Sequence, residues 1–176
     1  MSISPILKNK LRKVKILLLD VDGVLTDGRI VYDSTGADSK FFDVHDGLGI
    51  YLLSLMGIKT ILITAKGSET IKPRARDMRV EAVFENILPK TRVLDLVVKK
   101  YALRDSEVCF VGDDLVDLCV MKRAGAPIAP ANAASEIKKL ALFVTKKEGG
   151  RGAVREVAEL ILKSKGLWEK ALEIYQ

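Results

Sequence analysis

Two aspartates separated by one residue, Asp20 and Asp22, follow a short apolar run with the composition of a β-strand. In an extended chain this spacing places both carboxylates on the same side of the backbone. A run buried on both faces, as residues 16–19 indicate, fits a central parallel strand, and open parallel sheets bind ligands at the carboxyl ends of their strands. Two carboxylates this close repel each other, so either one takes up a proton or the pair shares a cation.

Further polar groups end or follow predicted elements along the chain. Thr64 closes a second apolar run, and Lys90 follows a proline at the start of a predicted helix. Asp113 and Asp114 close a third apolar run, and Asp117 lies one turn beyond them. Taken singly, these residues have simpler explanations as a helix-capping threonine, a solvated lysine and an acidic turn. Their order along the chain favours a functional role for them as a set.

The order of these motifs, DxD, Thr, Lys and GDDxxD, resembles that of the haloacid dehalogenase superfamily of phosphatases and phosphotransferases. The segments DVDGVLTDG, HDGLGI, GDDLVDLCVMK and GGRGAVRE are also similar to the Kdo (3-deoxy-D-manno-octulosonate) 8-phosphate phosphatase family. The second resemblance covers roughly residues 14–163. It implies a haloacid dehalogenase-like fold, a bound Mg²⁺ ion and hydrolysis of a sugar-acid phosphate.

The resemblance implies catalytic roles for four residues. Asp20 is expected to be the nucleophile that forms an aspartyl phosphate, and Asp22 to protonate the departing sugar oxygen and then activate water. Lys90 is expected to pair with the nucleophile and the phosphoryl oxygens, and Thr64 to donate its hydroxyl to the same oxygens.

A metal site is the second implication. Mg²⁺ prefers an octahedral shell of oxygens from one or two carboxylates, water and substrate phosphate. The carboxylates of Asp20 and Asp113 and the backbone carbonyl of Asp22 match that demand by resemblance. Asp114 is expected to be a supporting or alternative ligand. Asp117 is expected either to support the ligands from outside or to favour the macrodipole of a helix N-terminus.

A substrate-binding set is the third implication. It comprises Asp22, Asp43, Val44, His45, Asp46, Gly47, Lys66, Arg74 and Lys90. This chain has His45 where the family usually has arginine, Tyr51 where a basic residue is common, and Ala65-Lys66 in place of a Gly-Arg pair. Lysine replaces the bidentate fork of arginine with a point charge. These departures leave the phosphatase chemistry in place and bear on which sugar is bound.

Strand and helix patterns alternate along the chain, which predicts an α/β fold with a doubly wound parallel sheet. One haloacid dehalogenase-like domain is expected over residues 1–176, with no inserted cap domain and an amphipathic tail at residues 166–176. The predicted strands lie near residues 14–20, 58–64, 81–84, 107–112, 126–129 and 142–145. The predicted helices lie near residues 46–56, 68–78, 90–102, 114–124, 133–139 and 152–164.

Residues 28–44 depart from this alternation, because two β-prone arms flank the turn-forming segment STGADS. This pattern predicts a β-hairpin that projects over the strand ends. Its arms carry Ile30, Tyr32, Phe41 and Phe42, which are too apolar to stay exposed on an isolated ribbon. We expect this face to pack against another subunit, and the family resemblance implies a homotetramer. The GGRG turn near Arg151 is expected to reach an active site, its own or a neighbour's.

The composition argues against several other classes of protein, namely nucleic-acid-binding, membrane-spanning and secreted proteins. The chain has 176 residues, 48% hydrophobic and 30% charged, which suits one soluble domain. Its net charge of +6 is scattered over helices and its aromatic content is 6%, so a small anionic substrate is favoured over nucleic acid. No apolar run approaches the ~20 residues that cross a membrane, and the N-terminal segment lacks the apolar core of a signal peptide. We expect a cytoplasmic protein, with Cys109 and Cys119 as structural thiols.

The sequence therefore predicts a Mg²⁺-dependent phosphatase, acting on Kdo 8-phosphate on the route to lipopolysaccharide. A phosphatase for a nine-carbon, sialic-acid-type 9-phosphate is the nearest alternative. A phosphotransferase or phosphomutase is disfavoured because no cap domain is predicted. A non-catalytic oligomerisation module is disfavoured because every catalytic position is occupied.

Overall fold

A six-stranded parallel sheet forms the centre of the molecule in a computed structural model that describes residues 3–176. The strands of the chain are β1 (Ile16–Leu19), β2 (Val31–Tyr32), β3 (Asp38–Ser39), β4 (Lys59–Thr64), β5 (Ala82–Glu85), β6 (Val108–Val111), β7 (Ala126–Ala129) and β8 (Phe143–Val144). All except β2 and β3 belong to the sheet, in the order β5-β4-β1-β6-β7-β8. The direction of winding reverses beside β1, and ligands bind at such a switch point in open α/β sheets.

Within residues 3–176, eight α-helices connect the strands or flank the sheet. They are α1 (Pro5–Lys13), α2 (Val44–Leu55), α3 (Ile71–Asp77), α4 (Thr91–Lys100), α5 (Leu118–Met121), α6 (Ser135–Leu140), α7 (Ala153–Lys165) and α8 (Trp168–Leu172). Three short 3₁₀ helices span Asp105–Glu107, Leu115–Asp117 and Glu173–Tyr175. The predicted fold class, a doubly wound parallel sheet without a cap domain, is confirmed.

The sheet is covered on both faces because successive side chains of its central strand point in opposite directions. Leu17 and Leu19 of β1 belong to a core cluster that also contains residues of α1, α2 and α7. Ile16 and Leu18 belong to a second cluster with residues of α4, α5 and α6. All four β1 side chains are buried, which explains why this strand reads as a continuous apolar run.

The predicted hairpin exists, but its paired arms are shorter than expected. Only β2 and β3 pair, with Val31 opposite Ser39 and Tyr32 opposite Asp38. The tip is closed by Asp33, whose carboxylate accepts from the backbone amides of Thr35 (2.8 Å) and Ala37 (3.0 Å). These side-chain bonds shape the turn locally, so the ladder between the arms stays short.

The apolar residues of the hairpin segment have different environments. Ile30, Tyr32 and Phe41 are more than half exposed in the single chain, whereas Phe42 is partly buried and packs against the core cluster that contains Leu17 and Leu19. The expectation that this face packs against another subunit stays a prediction.

Helix α1 was not anticipated from the sequence. Ser4 caps it by accepting from the Leu7 amide (3.2 Å), Pro5 occupies its first turn, and Leu7 and Leu11 are buried. The helix predicted near residues 114–124 is divided, because the chain first forms a 3₁₀ turn at Leu115–Asp117 and only then the short α5. This turn positions Asp117.

Candidate active site

Asp20 and Asp113 follow neighbouring parallel strands. Leu19 of β1 pairs with Val111 of β6, and the Asp20 amide donates to the Val111 carbonyl (3.0 Å). The loop after β1 passes directly against Asp113. A Cβ atom on Gly23, whose φ is +88°, would lie 1.9 Å from the Asp113 Oδ2 atom. The glycine of the DVDG segment is therefore required both by its backbone angle and by the space that Asp113 occupies.

Lys90 places a fully buried ammonium group between two carboxylates. Its Nζ lies 2.8 Å from Asp20 Oδ1 and 2.7 Å from Asp117 Oδ1. Burial opposes the charge of Lys90, but the attraction of Asp20 and Asp117 outweighs it and raises the pKa of the ammonium. Lys90 is therefore a fixed positive charge next to Asp20.

Asp117 holds this arrangement together from the interior. Its Oδ2 accepts from the Asp113 amide at 2.9 Å, while its Oδ1 accepts from Lys90 Nζ at 2.7 Å. A Cβ on Gly112 would lie 2.5 Å from Asp117 Oδ2, so a glycine is needed for the carboxylate to approach. Because both Asp117 oxygens are engaged, this residue orients Lys90 and the Asp113 backbone.

The carboxylates of this cluster have strongly perturbed pKa values. Burial, followed by repulsion from Asp117, raises the pKa of Asp20 to about 6 in spite of Lys90. Burial, followed by repulsion from Asp20 and Asp117, raises the pKa of Asp113 to about 8. Burial first, and then the other acids, thus destabilise the ionised form of each carboxyl group. A cation bound among them would reverse that effect.

The same groups fit a divalent metal ion. Oxygens of Asp20, Asp113 and Asp117 lie within 4.8 Å of one another. Asp113 Oδ1 is buried and has no hydrogen-bond partner among the described residues. When ionised, the three carboxylates exceed the single Lys90 charge by two, which is the charge of one Mg²⁺ ion. An all-oxygen donor set also suits that ion. We call Asp20, Lys90, Asp113 and Asp117 the strand-end cluster.

Asp22 is held from the hairpin segment by a residue that the sequence reasoning missed. The Lys40 side chain is 3% exposed, and its Nζ lies 2.5 Å from Asp22 Oδ1 and 3.5 Å from Asp38 Oδ2. Thr26 Oγ1 lies 3.5 Å from the same Asp22 oxygen. No motif marked Lys40, because its position depends on how the hairpin folds back over the loop after β1.

The loop after β4 carries Thr64 and Lys66. The buried Thr64 hydroxyl donates to the Lys66 carbonyl (2.8 Å) and accepts from the Lys66 amide (3.2 Å), so it shapes this loop. The Lys66 side chain is exposed, and its ammonium contacts the Tyr32 hydroxyl of the hairpin. Lys66 is therefore the exposed cation on this side of the site.

The start of α2 forms a rim of exposed and half-buried groups. Asp43 caps the helix through the His45 amide (2.6 Å), and its carbonyl accepts from Arg74 (2.9 Å). Val44 and His45 are both about seven-tenths exposed. Gly47 lets Arg74 approach, because a Cβ there would lie 2.2 Å from the guanidinium. The predicted substrate residues of this segment therefore adjoin Arg74.

Asp46 differs from its neighbours because its carboxylate is buried. It accepts from the amides of Arg155 (2.7 Å) and Gly152 (3.3 Å) at the start of α7. Burial raises the pKa of Asp46 to about 6, although these amide bonds favour the charged form. The side chain thus joins α2 to α7 rather than extending into the rim, which assigns it a different role from the expected substrate contact.

The GGRG turn braces the loop after β1 in the same chain. The Gly150 amide donates to the Val24 carbonyl (3.0 Å). Asn132 bridges the two segments, donating to the Gly23 carbonyl (3.2 Å) and accepting from the Gly149 amide (2.8 Å). A Cβ on Gly149 would lie 1.8 Å from the Gly23 carbonyl oxygen. The GGRG motif marks the turn in the sequence, whereas no motif marks Asn132.

Comparisons with known proteins place this site in a family. Haloacid dehalogenase-like hydrolases match residues 56–157. The 3-deoxy-D-manno-octulosonate 8-phosphate phosphatase of Salmonella typhimurium is 34% identical over 169 residues, which cover 96% of this chain and 90% of the relative. The chain belongs to the haloacid dehalogenase-like hydrolases.

Solved structures extend the match within this hydrolase family. The 3-deoxy-D-manno-octulosonate 8-phosphate phosphatase of Moraxella catarrhalis, crystallised with a magnesium ion, a phosphate ion and a Kdo molecule, is 35% identical with a TM-score of 0.94, covering 97% of this chain and 98% of the other. The Yersinia pestis enzyme of the same name is 31% identical with a TM-score of 0.93, covering 95% and 90%. The resemblance to Kdo 8-phosphate phosphatases is confirmed.

Two further residues predicted to serve the site, Asp114 and Arg151, also lie outside the strand-end cluster. Asp114 is exposed and caps the 3₁₀ turn by accepting from the Leu115 amide (2.8 Å), so its carboxylate has a local partner. Arg151 is also exposed, with its guanidinium 3.6 Å from Asp27. Its expected reach into a neighbour's active site stays a prediction.

Proposed function

We propose that this chain is a Mg²⁺-dependent phosphatase that hydrolyses 3-deoxy-D-manno-octulosonate 8-phosphate to Kdo and phosphate through an aspartyl phosphate. The observation that carries the proposal is the buried Lys90–Asp20 ion pair with Asp113 beside it. It occurs in a chain 35% identical to a phosphatase crystallised with magnesium, phosphate and Kdo. Phosphate monoesters hydrolyse extremely slowly in water, so this reaction requires both charge stabilisation and an aligned nucleophile.

The strand-end cluster supplies the metal ligands in this proposal. The carboxylates of Asp20 and Asp113 and the backbone carbonyl of Asp22 would hold Mg²⁺. When bound, the ion neutralises charge on the phosphoryl group that is being transferred. Asp117 keeps Lys90 and the Asp113 backbone in place.

The first half-reaction uses Asp20 as the nucleophile. Both hydrogen bonds to its carboxylate, from the Val21 amide (2.7 Å) and Lys90 Nζ (2.8 Å), reach Oδ1. Oδ2 therefore attacks phosphorus while the bond from phosphorus to the sugar oxygen breaks. Asp22 gives its proton to the departing oxygen, and Lys90 stabilises the charge on the phosphoryl oxygens. When phosphate binds, the Thr64 hydroxyl turns from the Lys66 carbonyl and donates to the same oxygens.

The second half-reaction regenerates the enzyme. A water molecule attacks phosphorus and transfers a proton to the Asp22 carboxylate. The bond between phosphorus and the Asp20 oxygen then breaks, which releases inorganic phosphate and returns Asp20 to its carboxylate form. Asp22 thus acts as the acid in one step and as the base in the next, which restores its proton for another cycle.

In this proposal the rim at the start of α2 and the exposed Lys66 of the loop after β4 together select the sugar acid. Lys66 presents an exposed ammonium, and the partly buried Arg74 guanidinium donates to the Asp43 carbonyl through Nη2 at the start of α2. Both cations are therefore suited to a carboxylate. Val44 and His45 follow Asp43 at the start of α2, and Asp43 and Gly47 adjoin Arg74.

Assembly and location complete the proposal. The exposed side chains of Ile30, Tyr32 and Phe41 support packing of the hairpin between subunits, and we propose a homotetramer of chains that each fold as one domain over residues 1–176. Free thiols at Cys109 and Cys119 agree with a reducing compartment, so we place the enzyme in the cytoplasm. No helix of the described residues has the length and apolar character needed to span a membrane.

A panel of phosphate esters tests the proposed activity. Phosphate release would be measured with Mg²⁺ for Kdo 8-phosphate, a nine-carbon sialic-acid-type 9-phosphate and glucose 6-phosphate. We expect the highest kcat/KM for Kdo 8-phosphate. A higher value for the nine-carbon acid would reassign the substrate within the sugar acids, and a preference for the neutral hexose phosphate would refute sugar-acid recognition.

Light scattering tests the proposed assembly. We expect the parent to have the mass of four chains, and Phe41→Asp to dissociate it, because a charge at an apolar contact loses its hydration. Arg79→Asp, on the surface beside Tyr51, is the control for a charge added elsewhere. A parent that is monomeric at assay concentration would contradict the tetramer.

A further inference from the structure

Lys40 is a buried cation that the proposed reaction does not use. It comes from the return arm of the hairpin, yet its Nζ lies 2.5 Å from the side chain of Asp22, 18 residues earlier. A lysine is rarely buried this fully without being paired with acids. Here it lies between two of them, Asp22 and Asp38, with the second contact at 3.5 Å.

The position of Lys40 is itself fixed by the hairpin. Asp38 Oδ1 accepts from the Ser68 hydroxyl (3.0 Å), which belongs to the loop after β4. The other oxygen, Asp38 Oδ2, is buried and faces only Lys40 at ion-pair distance among the described residues. The hairpin is therefore joined to the loop after β4 through Asp38 and to the loop after β1 through Lys40.

We propose that Lys40 is a positioning residue that acts through Asp22 and fixes which oxygen of that carboxyl group transfers protons. This inference rests on the proposed phosphatase function. The contacts that Asp22 receives from described side chains, from Lys40 and Thr26, both reach Oδ1. A carboxyl group that accepts an ammonium hydrogen bond on Oδ1 carries its proton on Oδ2.

The same geometry serves both half-reactions. In the first step Oδ2 of Asp22 gives its proton to the departing sugar oxygen, and in the second step Oδ2 takes a proton from water. Oδ1 accepts from Lys40 throughout, so the carboxyl group need not rotate between the steps. Proton transfer by a positioned acid accelerates reactions by roughly 10²- to 10⁴-fold, and a displacement of about 1 Å removes much of that gain.

The nature of the leaving group separates this role from a purely structural one. A sugar alkoxide needs a proton as it departs, whereas p-nitrophenolate departs without one. Loss of Lys40 should therefore slow the cleavage of sugar phosphates more than the cleavage of p-nitrophenyl phosphate. A general loosening of the fold would slow both reactions to the same extent.

The experiment compares kcat/KM for Kdo 8-phosphate, glycerol 3-phosphate and p-nitrophenyl phosphate, each with Mg²⁺. This parameter reports the step in which the leaving group departs. We expect Lys40→Met to lower kcat/KM for both alkyl esters at least about tenfold more than for the aryl ester. Lys40→Arg should restore part of the difference. Lys72→Met removes an exposed lysine that pairs with Glu69, and it should behave like the parent.

A double-mutant cycle tests whether Lys40 acts through Asp22. In the Asp22→Asn background, Lys40→Met should change kcat/KM less than about twofold, because the group that Lys40 positions is already lost. Asp38→Asn provides a second variant in case Lys40→Met does not fold, as judged by circular dichroism. Asp38→Asn should also lower kcat/KM more for the alkyl esters than for the aryl ester, but by a smaller factor than Lys40→Met.

The outcomes distinguish this inference from the proposed function. A parent that hydrolyses the esters, together with a Lys40→Met variant that loses equally on alkyl and aryl substrates, would overturn the positioning role and leave the phosphatase intact. The positioning role would also be overturned if Lys40→Met lowered kcat/KM by the same factor with and without Asp22→Asn. A parent that hydrolyses none of the esters would refute the phosphatase function, and the role of Lys40 with it.

Discussion

The strand-end cluster and the rim at the start of α2 differ in how completely the chain itself fixes their side chains. Lys90 and Asp117 are wholly buried and joined by short ion pairs and hydrogen bonds. Val44 and His45 are about seven-tenths exposed, and among the residues that the structure describes the Lys66 ammonium contacts only the hairpin. In the proposed function, the chemistry therefore relies on side chains that the sheet holds in place, whereas the choice of substrate relies on exposed groups.

This difference has a physical basis. Breaking a buried ion pair leaves an uncompensated charge in a medium that solvates it poorly, so such a pair tolerates little change. Exposed cations are stabilised by water whether or not they have a partner. The exposed residues His45 and Lys66 can therefore differ from the arginines that the family resemblance implies without disturbing the strand-end cluster.

The largest expected effect comes from Asp20→Asn. An amide of similar volume removes the nucleophile, so kcat should fall by at least ~10⁴-fold for every phosphate ester. Phosphate release and circular dichroism would be measured together. The control Asp95→Asn removes an exposed partner of Arg123 and should keep parental activity. Substantial Mg²⁺-dependent turnover by folded Asp20→Asn would eliminate the nucleophile assignment.

A second prediction concerns the metal. Asp113→Asn removes a charged oxygen ligand, so the Mg²⁺ concentration for half-maximal activity should rise by at least about tenfold, with partial rescue at high Mg²⁺. Calorimetric titration would measure the affinity directly. Asp114→Asn is the matched control, because its carboxylate caps a local turn. An equal loss of affinity in Asp114→Asn would make Asp114 a ligand after all.

The smallest expected effect concerns stability, at Asp46. Its pKa is about 6 in the folded chain against an ordinary value of 3.8, so the folded state binds this proton more tightly than the unfolded state. The tighter proton binding adds to the free energy of unfolding at low pH. This contribution is lost as pH rises from about 4 to about 6, and its size is on the order of 1–3 kcal/mol. Urea unfolding at several pH values would show the parent losing stability relative to Asp46→Asn over this window. A difference between the two proteins that is independent of pH would contradict the prediction.

The sequence could predict the strand-end cluster because strand composition and chain order place those residues together. Asp20 and Asp113 both follow continuous apolar runs, and parallel strands bring such ends to one edge. Lys90 and Asp117 were recognised by their order, although their mutual ion pair was not. Helix α1 is not predicted because its segment is short and basic and only two residues, Leu7 and Leu11, mark its buried face.

The contacts that the sequence could not predict join segments distant along the chain. Asp46 accepts from residues more than 100 positions away, and Asn132 bridges to Gly23 over 109 positions. Lys40 reaches Asp22 only because a short hairpin folds back. These partners have no periodicity or motif of their own, so their roles depend on the tertiary structure.

The most direct test of the account is the ratio of kcat/KM for Kdo 8-phosphate to that for p-nitrophenyl phosphate, measured in Lys66→Ala and Asp113→Asn. Losing a charge-assisted hydrogen bond to the sugar-acid carboxylate should lower this ratio by about ten- to a hundredfold in Lys66→Ala. Asp113→Asn should reduce both rates and leave the ratio within about threefold of the parent, because its effect is on the phosphoryl group that both esters share. An unchanged ratio in Lys66→Ala, or a ratio that collapses equally in both variants, would contradict the division between a chemical cluster and a selective rim.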